Sequence, residues 1–158
     1  MRIAVLFASL GLALSHPTMA ETLAGVPVVI DGDTIEVDNK RIRLFGIDAP
    51  EKRQTCLSSQ GDWPCGQVAA QELTQHLSKK SVVCIEHGRD RYKRMIATCR
   101  IGSEDIGAWM VGRGWALAYR HYSLAYVPDE EMAKDAGKGI WKSAFTNPWD
   151  LRKTNKHR

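Results

Sequence analysis

The chain has 158 residues, 44% of them hydrophobic, and a formal net charge of +4 at pH 7. This length provides one domain with a single modest core, and the absence of a long apolar run after residue 20 excludes a membrane-spanning mature chain. The basic excess is mild, so its distribution matters more than its size. One cluster lies between residues 89 and 100 around Tyr92 and fits either a nucleic-acid contact or a solvated surface; the other lies in residues 152–158.

The first twenty residues are predicted to be a cleaved signal peptide. Arg2 is a charged start, residues 3–14 are an apolar run too short to span a bilayer, and residues 18–20 resemble a cleavage site. Cleavage after Ala20 would divide the chain into a signal peptide at 1–20, a domain at 21–150 and a basic flexible tail at 151–158. Loss of the single charge of Arg2 lowers the net charge from +4 to +3. We therefore expect an exported protein, periplasmic or extracellular, without stable membrane association.

A β-hairpin is predicted near the start of the mature chain. Thr34–Val37 and Arg41–Leu44 both alternate polar and apolar residues, and residues 38–40 between them supply turn chemistry. A register that pairs Val37 with Ile42 places the apolar side chains of both strands on one face.

Carboxylates collect at the open end of this hairpin. Asp31 and Asp33 precede its first strand, and Asp48 and Glu51 follow its second. Hard oxygen ligands from two neighbouring segments suit a calcium-type cation, and Arg43 offers a planar fork that can hold a phosphate. The stretch therefore predicts a site that brings a cation and a phosphate together.

The remaining pattern predicts an α+β domain. In chain order the other predicted elements are a first strand at Val26–Ile30, a surface loop at Lys52–Gly66, a helix at Gln67–Lys79, strands at Ser81–His87 and Arg94–Ile101, a helix capped by Ser103, an extended Trp115–Tyr119 and a helix opened by Pro128. A five-stranded, partly open OB-fold β-barrel with three helices accommodates this order.

Four cysteines, an even number in an exported chain, indicate disulfides. Zinc is not expected, because there is no C-x-x-C pair and no histidine at ligand spacing. If the turn between the fourth and fifth strands is centred between residues 91 and 92, positions whose numbers sum to 183 face each other. This register pairs Cys84 with Cys99 and leaves Cys56 to pair with Cys65, one of three possible connectivities.

Taken alone, each of these motifs is typical of ordinary turns and strand ion pairs. Their combination is more specific: D-G-D-T, an arginine nine residues on, D-x-P-E, and later D-R-Y-K-R. This pattern resembles the staphylococcal nuclease, or thermonuclease, family. The resemblance runs from about Val26 to Trp141 and includes the G-W-A-L-A-Y and G-I-W segments. It implies a secreted bacterial-type member with the staphylococcal nuclease-like fold.

The resemblance also implies residue roles. Asp33, Asp48 and the Ala49 backbone carbonyl would bind calcium, with Asp31 holding metal-bound water. The family usually has threonine where this chain has Ala49, but only the main-chain oxygen is used. The catalytic group would be Arg43, Glu51 and Arg94. Substrate contacts would come from Arg91, Tyr92 and Tyr119, although the spacing around Tyr119 differs by one residue from the best-known pattern.

The implied function is calcium-dependent, sugar-nonspecific hydrolysis of DNA and RNA. The family leaves 3′-phosphates and prefers single strands, and a monomer is expected. The alternative is a catalytically inactive nuclease-like OB module that binds nucleic acid or protein. Such a module would be expected to lack one or more of the acidic and arginine positions, and this chain has all of them.

Overall fold

The computed structural model describes residues 20–156, so all but the last residue of the predicted signal peptide lies outside the described residues. Within that range the elements are β1 (Thr22–Gly25), β2 (Val28–Val29), β3 (Thr34–Val37), β4 (Lys40–Leu44), β5 (Ile47–Asp48), β6 (Cys56–Ser58), β7 (Gly61–Trp63), α1 (Cys65–Leu77), β8 (Val82–Arg89), β9 (Met95–Ile101), β10 (Glu104–Asp105), α2 (Ile106–Gly112), β11 (Leu117–Ala118), α3 (Val127–Asp135), a 3₁₀ helix (Gly139–Lys142) and α4 (Pro148–Lys156). No helix among these described residues is long and apolar enough to cross a membrane.

The main sheet curls into an OB-like barrel. Its strand order is β1-β8-β9-β4-β3-β2, with β10 added to β9; β4 and β9 run parallel and the other pairs are antiparallel. The two outer strands, β1 and β2, are separated only by Val26 and Pro27, so one bent segment joins both edges. The predicted strand Val26–Ile30 is therefore wrong in its bounds, because Pro27 lacks the N–H that a continuous ladder requires. The predicted α+β, OB-like class is confirmed, with further short strands and a fourth helix.

The β3–β4 hairpin closes through a tighter turn than the sequence predicted. Asp38 and Asn39 both have positive φ, 48° and 59°, which is the type I′ geometry of a two-residue loop. Ile35 therefore faces Ile42, whereas the predicted register paired Val37 with Ile42. A shift of two residues leaves every side chain on its own face. The apolar residues of both strands are accordingly buried as expected.

The segment predicted as a surface loop, Lys52–Gly66, is more ordered than that. It contains the β6–β7 hairpin, and Leu57 also bridges Ala144. Cys65 begins α1 two residues before the predicted start, and its disulfide with Cys56 ties the hairpin to the helix. The second predicted disulfide, Cys84–Cys99, joins directly opposed residues of β8 and β9. Both predicted bonds are present.

The start of α2 and the C-terminal segment also differ from the sequence prediction. Asp105, and not Ser103, caps α2, because its Oδ1 accepts the Ala108 N–H at 3.1 Å. Residues 151–156, predicted as part of a flexible tail, belong to α4. Trp149 packs α4 against a second apolar cluster around the Cys56–Cys65 disulfide. This contact of the partly buried indole holds α4 on the domain.

The main core lies between the barrel, α1 and α2. Ile35, Leu73 and Met110 are each fully buried in it. Gly66 near the start of α1 makes the closest approach to the rest of the chain: a Cβ there would lie 1.8 Å from the Glu51 carbonyl oxygen. This contact fixes α1 against the segment that carries Glu51.

We expect Gly66→Ala to lower the free energy of unfolding by about 1 to 3 kcal/mol, the usual cost of overpacking. Alanine gains about 1 kcal/mol of helix propensity over glycine, so a net loss would report the steric contact. Urea denaturation under non-reducing conditions measures the change. Gly112→Ala is the matched control, because its nearest neighbour is Asp129 Cβ at 3.9 Å. Equal stability of the two variants would contradict the prediction.

Candidate active site

A cleft of about 910 Å³ opens on the barrel where the hairpin, the β8–β9 turn, the chain after β11 and α4 meet. It is lined by nine of the ten residues that the sequence singled out: Asp31, Asp33, Arg43, Ala49, Glu51, Arg91, Tyr92, Arg94 and Tyr119. The tenth, Asp48, is fully buried and contacts the cleft through Arg43. The fold thus gathers residues from distant parts of the chain into one site.

Arg43 is the centre of the buried part of the site. Its Nη1 donates to Asp33 Oδ1 and its Nη2 to Asp48 Oδ1, both at 2.7 Å. The hairpin register produces this contact, since Thr34 lies opposite Arg43 and the Leu44 N–H donates to the Asp33 carbonyl. Charge-assisted bonds of this length are strong, so Arg43 is held in one orientation.

Asp33 joins the hairpin to the chain after β5. Its Oδ2 accepts the Ala49 N–H at 3.1 Å, and its Oδ1 also accepts the Thr34 hydroxyl at 3.0 Å. Burial alone would favour the neutral acid, but the Arg43 guanidinium and the Ala49 N–H hold the pKa of Asp33 below its ordinary value. Asp33 is therefore a fixed carboxylate.

Asp31 differs from Asp33 in its electrostatics. Its Oδ1 accepts the Asp33 N–H at 3.1 Å, which fixes the turn before β3. Burial and the negative charge of Asp33 raise the pKa of Asp31 to about 6. Asp31 therefore gains a proton more readily than an ordinary aspartate.

Arg152 of α4 is a site residue that the sequence reasoning missed. Its Nη2 donates to Asp48 Oδ2 at 2.6 Å, and its Nη1 donates to Asp48 Oδ1 at 3.0 Å and to Glu51 Oε1 at 2.5 Å. The signal available was Asn147-Pro148 before Trp149, since Asn is a favoured N-cap and Pro a favoured first helical residue. A helix there could have been found, but its contact with Asp48 could not.

Asp90 in the β8–β9 turn fixes the orientation of the Arg94 side chain. Its Nε donates to Asp90 Oδ2 at 2.7 Å, while Asp90 Oδ1 accepts the backbone N–H groups of Tyr92 and Arg94. Burial opposes ionisation of Asp90, but the bonds from Arg94 lower its pKa. The Arg94 Nη1 also reaches the Thr34 hydroxyl at 3.4 Å. Arg94 is thus connected through Thr34 to the carboxylates of the hairpin.

The outer wall of the cleft is basic and aromatic. The Arg91 guanidinium lies 4.9 Å and that of Arg94 5.6 Å from the centre of the Tyr92 ring, and 66% of Tyr92 is exposed. Tyr119 lies on the opposite segment, after β11. Besides Arg152, the lining residues that the sequence did not select are Arg41, Pro50, Arg89, Asp90, Ile96, His121 and Tyr122.

The cleft combines hard oxygen donors with guanidinium groups, which suits a cation and an anionic phosphate ester. Among residues 20–156, no three His, Cys, Asp or Glu side chains form a ready-made metal site. Both oxygens of Asp48 are instead paired with guanidinium groups, those of Arg43 and Arg152.

Comparisons with known proteins agree on one family. The sequence profile described as Staphylococcal nuclease homologue matches residues 41–143. The succinoglycan biosynthesis protein ExoI of Rhizobium meliloti is 38% identical over 128 residues, covering 78% of this chain and 67% of the relative. Protein ParB of Escherichia coli is 33% identical over 165 residues, covering 93% and 88%, and an uncharacterized endonuclease of Haemophilus influenzae is 32% identical over 142 residues, covering 85% and 74%.

The profile match spans well over half of the chain. It includes Arg43, Asp48, Glu51 and Arg94, and the structure joins Asp33 to this range through Arg43 and Ala49. The chain therefore belongs to the family of staphylococcal nuclease homologues.

Proposed function

We propose that this protein is a calcium-dependent nuclease that hydrolyses phosphodiester bonds of DNA and RNA without regard to the sugar. The observation that carries the proposal is the cleft in which Arg43, Glu51 and Arg94 surround a space bordered by buried carboxylates. The family membership and the relatives named as endonucleases support nuclease chemistry.

The donor set fits calcium. The carboxylates of Asp33 and Asp48 and the Ala49 carbonyl would hold the ion, with Asp31 at its edge; all are hard oxygen donors. Ala49 lines the cleft, is buried, and donates its N–H to Asp33. Because only the main-chain oxygen would bind the ion, alanine at this position would not remove a ligand. Calcium bound there supplies positive charge beside the phosphate and helps to orient the attacking water.

The protein groups would divide the remaining work. Arg43 and Arg94 hold the non-bridging phosphate oxygens and stabilise the charge that develops on them. Glu51 orients a water molecule and accepts its proton as the water oxygen bonds to phosphorus. The bond from phosphorus to the 5′ oxygen then breaks, that oxygen takes a proton from a solvent water, and Glu51 returns its proton to solvent, which leaves a 3′-phosphate and a 5′-hydroxyl. Because water is the nucleophile, a 2′-hydroxyl is not needed.

We propose that the enzyme works outside the cytoplasm, in the periplasm or the medium. The two disulfides support this location, because such bonds persist in oxidising compartments. The sequence of residues 1–20, with its charged start and apolar run, supports export by a cleaved signal peptide.

The first prediction is that cleavage depends on calcium. Purified mature protein, residues 21–158, should degrade single-stranded DNA and RNA when calcium is present and stop when a calcium chelator is added. Duplex DNA should be cut more slowly. Gel analysis of the products measures each rate. Binding without cleavage under every metal condition would instead favour the inactive binding module.

The second prediction concerns the shape of the Arg43 side chain. Arg43→Lys keeps the charge but loses the planar fork that would hold the phosphate oxygens, so kcat should fall about 100-fold or more. Arg100→Lys is the control, because Arg100 pairs with Asp105 and does not line the cleft.

Glu51→Gln should also reduce kcat while the thermal midpoint of unfolding stays near that of the unaltered protein. Unchanged turnover in either variant would remove that residue from the mechanism.

The third prediction is that Arg152 competes with the cation for Asp48. Arg152→Ala frees Asp48 Oδ2 and leaves Oδ1 bonded to Arg43 alone, so calcium should bind about tenfold more tightly, equivalent to about 1.4 kcal/mol. Isothermal titration of calcium into the mature protein without nucleic acid measures the affinity. Lys153→Ala is the control, because Lys153 is exposed and pairs only with Asp150. An Arg152→Ala affinity equal to that of the control would contradict the competition.

A further inference from the structure

A row of aromatic rings begins in the cleft and continues beyond it. The Tyr119 ring lies 5.8 Å from that of Trp149 and 5.2 Å from that of Tyr122. Tyr122 lies 6.1 Å from Phe45, and Phe45 stacks on His87 at 4.3 Å. Tyr119 and Tyr122 line the cleft, whereas Phe45 and His87 lie beyond its lining residues. The row therefore connects the proposed site of cleavage to the adjoining surface of the barrel.

A β-bulge fixes the outer end of the row. Glu86 faces Ala97 and Gly88 faces Ile96, which leaves His87 as the extra residue of β8. Its Nε2 is 2.8 Å from the Thr98 hydroxyl, and its ring lies at 30° to the Phe45 ring. The Phe45 backbone is held by a 2.9 Å bond to the Ala97 carbonyl. The last two rings thus have defined positions on the surface.

These rings are not explained by core packing. Tyr122 is 46% exposed, His87 is exposed, and neither belongs to the two apolar clusters. The pair formed by His76 and Trp109 is different: their rings stack at 3.8 Å, but Trp109 packs on the core and His76 lies away from the cleft. Phe45 and Tyr119 are half-buried, so the row as a whole leaves aromatic surface open to solvent outside the two clusters, which is typical of a binding surface.

We propose that the row formed by Tyr119, Tyr122, Phe45 and His87 binds the unpaired bases of a nucleic-acid strand that extends from the cleft. This inference rests on the proposed nuclease function and deepens it. Aromatic rings stack on any base, so such a row contributes affinity without sequence preference. In a duplex, neighbouring base pairs cover the faces of each base. The row would therefore engage single strands, and only strands long enough to reach past the cleft.

The test compares short and long ligands on one protein. Glu51→Gln serves as the background that slows cleavage, and calcium is present throughout. Fluorescence anisotropy measures the binding of a dinucleotide and of an octanucleotide of thymidine. His87→Ala should weaken octanucleotide binding about tenfold and leave dinucleotide binding unchanged, because His87 lies outside the cleft. His87→Phe, which keeps a ring, should bind the octanucleotide as the background does.

Two controls separate the row from other causes. His76→Ala removes a stacked histidine away from the cleft and should change neither affinity. The second control is an octanucleotide in which only the two central nucleotides keep their bases. It should bind the background protein and the His87→Ala variant with the same weak affinity. An equal loss of affinity for the dinucleotide and the octanucleotide, or no loss for either, would overturn the proposal that the row binds bases. Cleavage by the unaltered enzyme is assayed separately, and its absence would overturn the nuclease proposal instead.

Discussion

The arrangement of the site depends on one guanidinium shared between two buried carboxylates. Arg43 from β4 bonds at once to Asp33 before β3 and to Asp48 at the end of β5, and the three side chains are 13%, 7% and 0% exposed. Removing one partner from such a group leaves an uncompensated buried charge, which costs about 3 to 5 kcal/mol. A one-residue slip of the hairpin would turn Arg43 to the other face. Correct folding of the hairpin and assembly of the site are therefore the same event.

A second constraint holds the backbone near Glu51 while leaving its side chain exposed. The Glu51 N–H donates to the side chain of Gln54, whose own amide group donates to the Thr146 carbonyl at 2.7 Å. Gly66 packs directly on the Glu51 carbonyl, and the disulfide beside it anchors the β6–β7 hairpin. The carboxylate itself is 41% exposed in the cleft. A rigid backbone with a solvent-facing carboxylate suits a group that must meet water and substrate.

The last helix serves both parts of the cleft. Trp149 packs between the second apolar cluster and the Tyr119 ring, and one turn later Arg152 reaches Asp48 and Glu51. The charged centre and the aromatic row therefore share one support. A displacement of α4 that withdrew Arg152 from Asp48 would also move the indole that packs against Tyr119. In the proposed nuclease, cation binding and strand binding would therefore be linked through α4.

The sequence by itself determined the local features: the alternation of the hairpin, the acidic positions around it, and a register that pairs Cys84 with Cys99. These follow from short-range patterns, in which a residue's neighbours decide its face. The predicted register of the hairpin was wrong by two residues, because a shift of two preserves that pattern. Only the tertiary structure decided the contact of Arg152 with Asp48 and the stacking of His87 on Phe45. The first joins residues 104 positions apart, and the second requires a bulge in β8. Neither leaves a periodic signal, because packing between distant segments, and not local propensity, sets them.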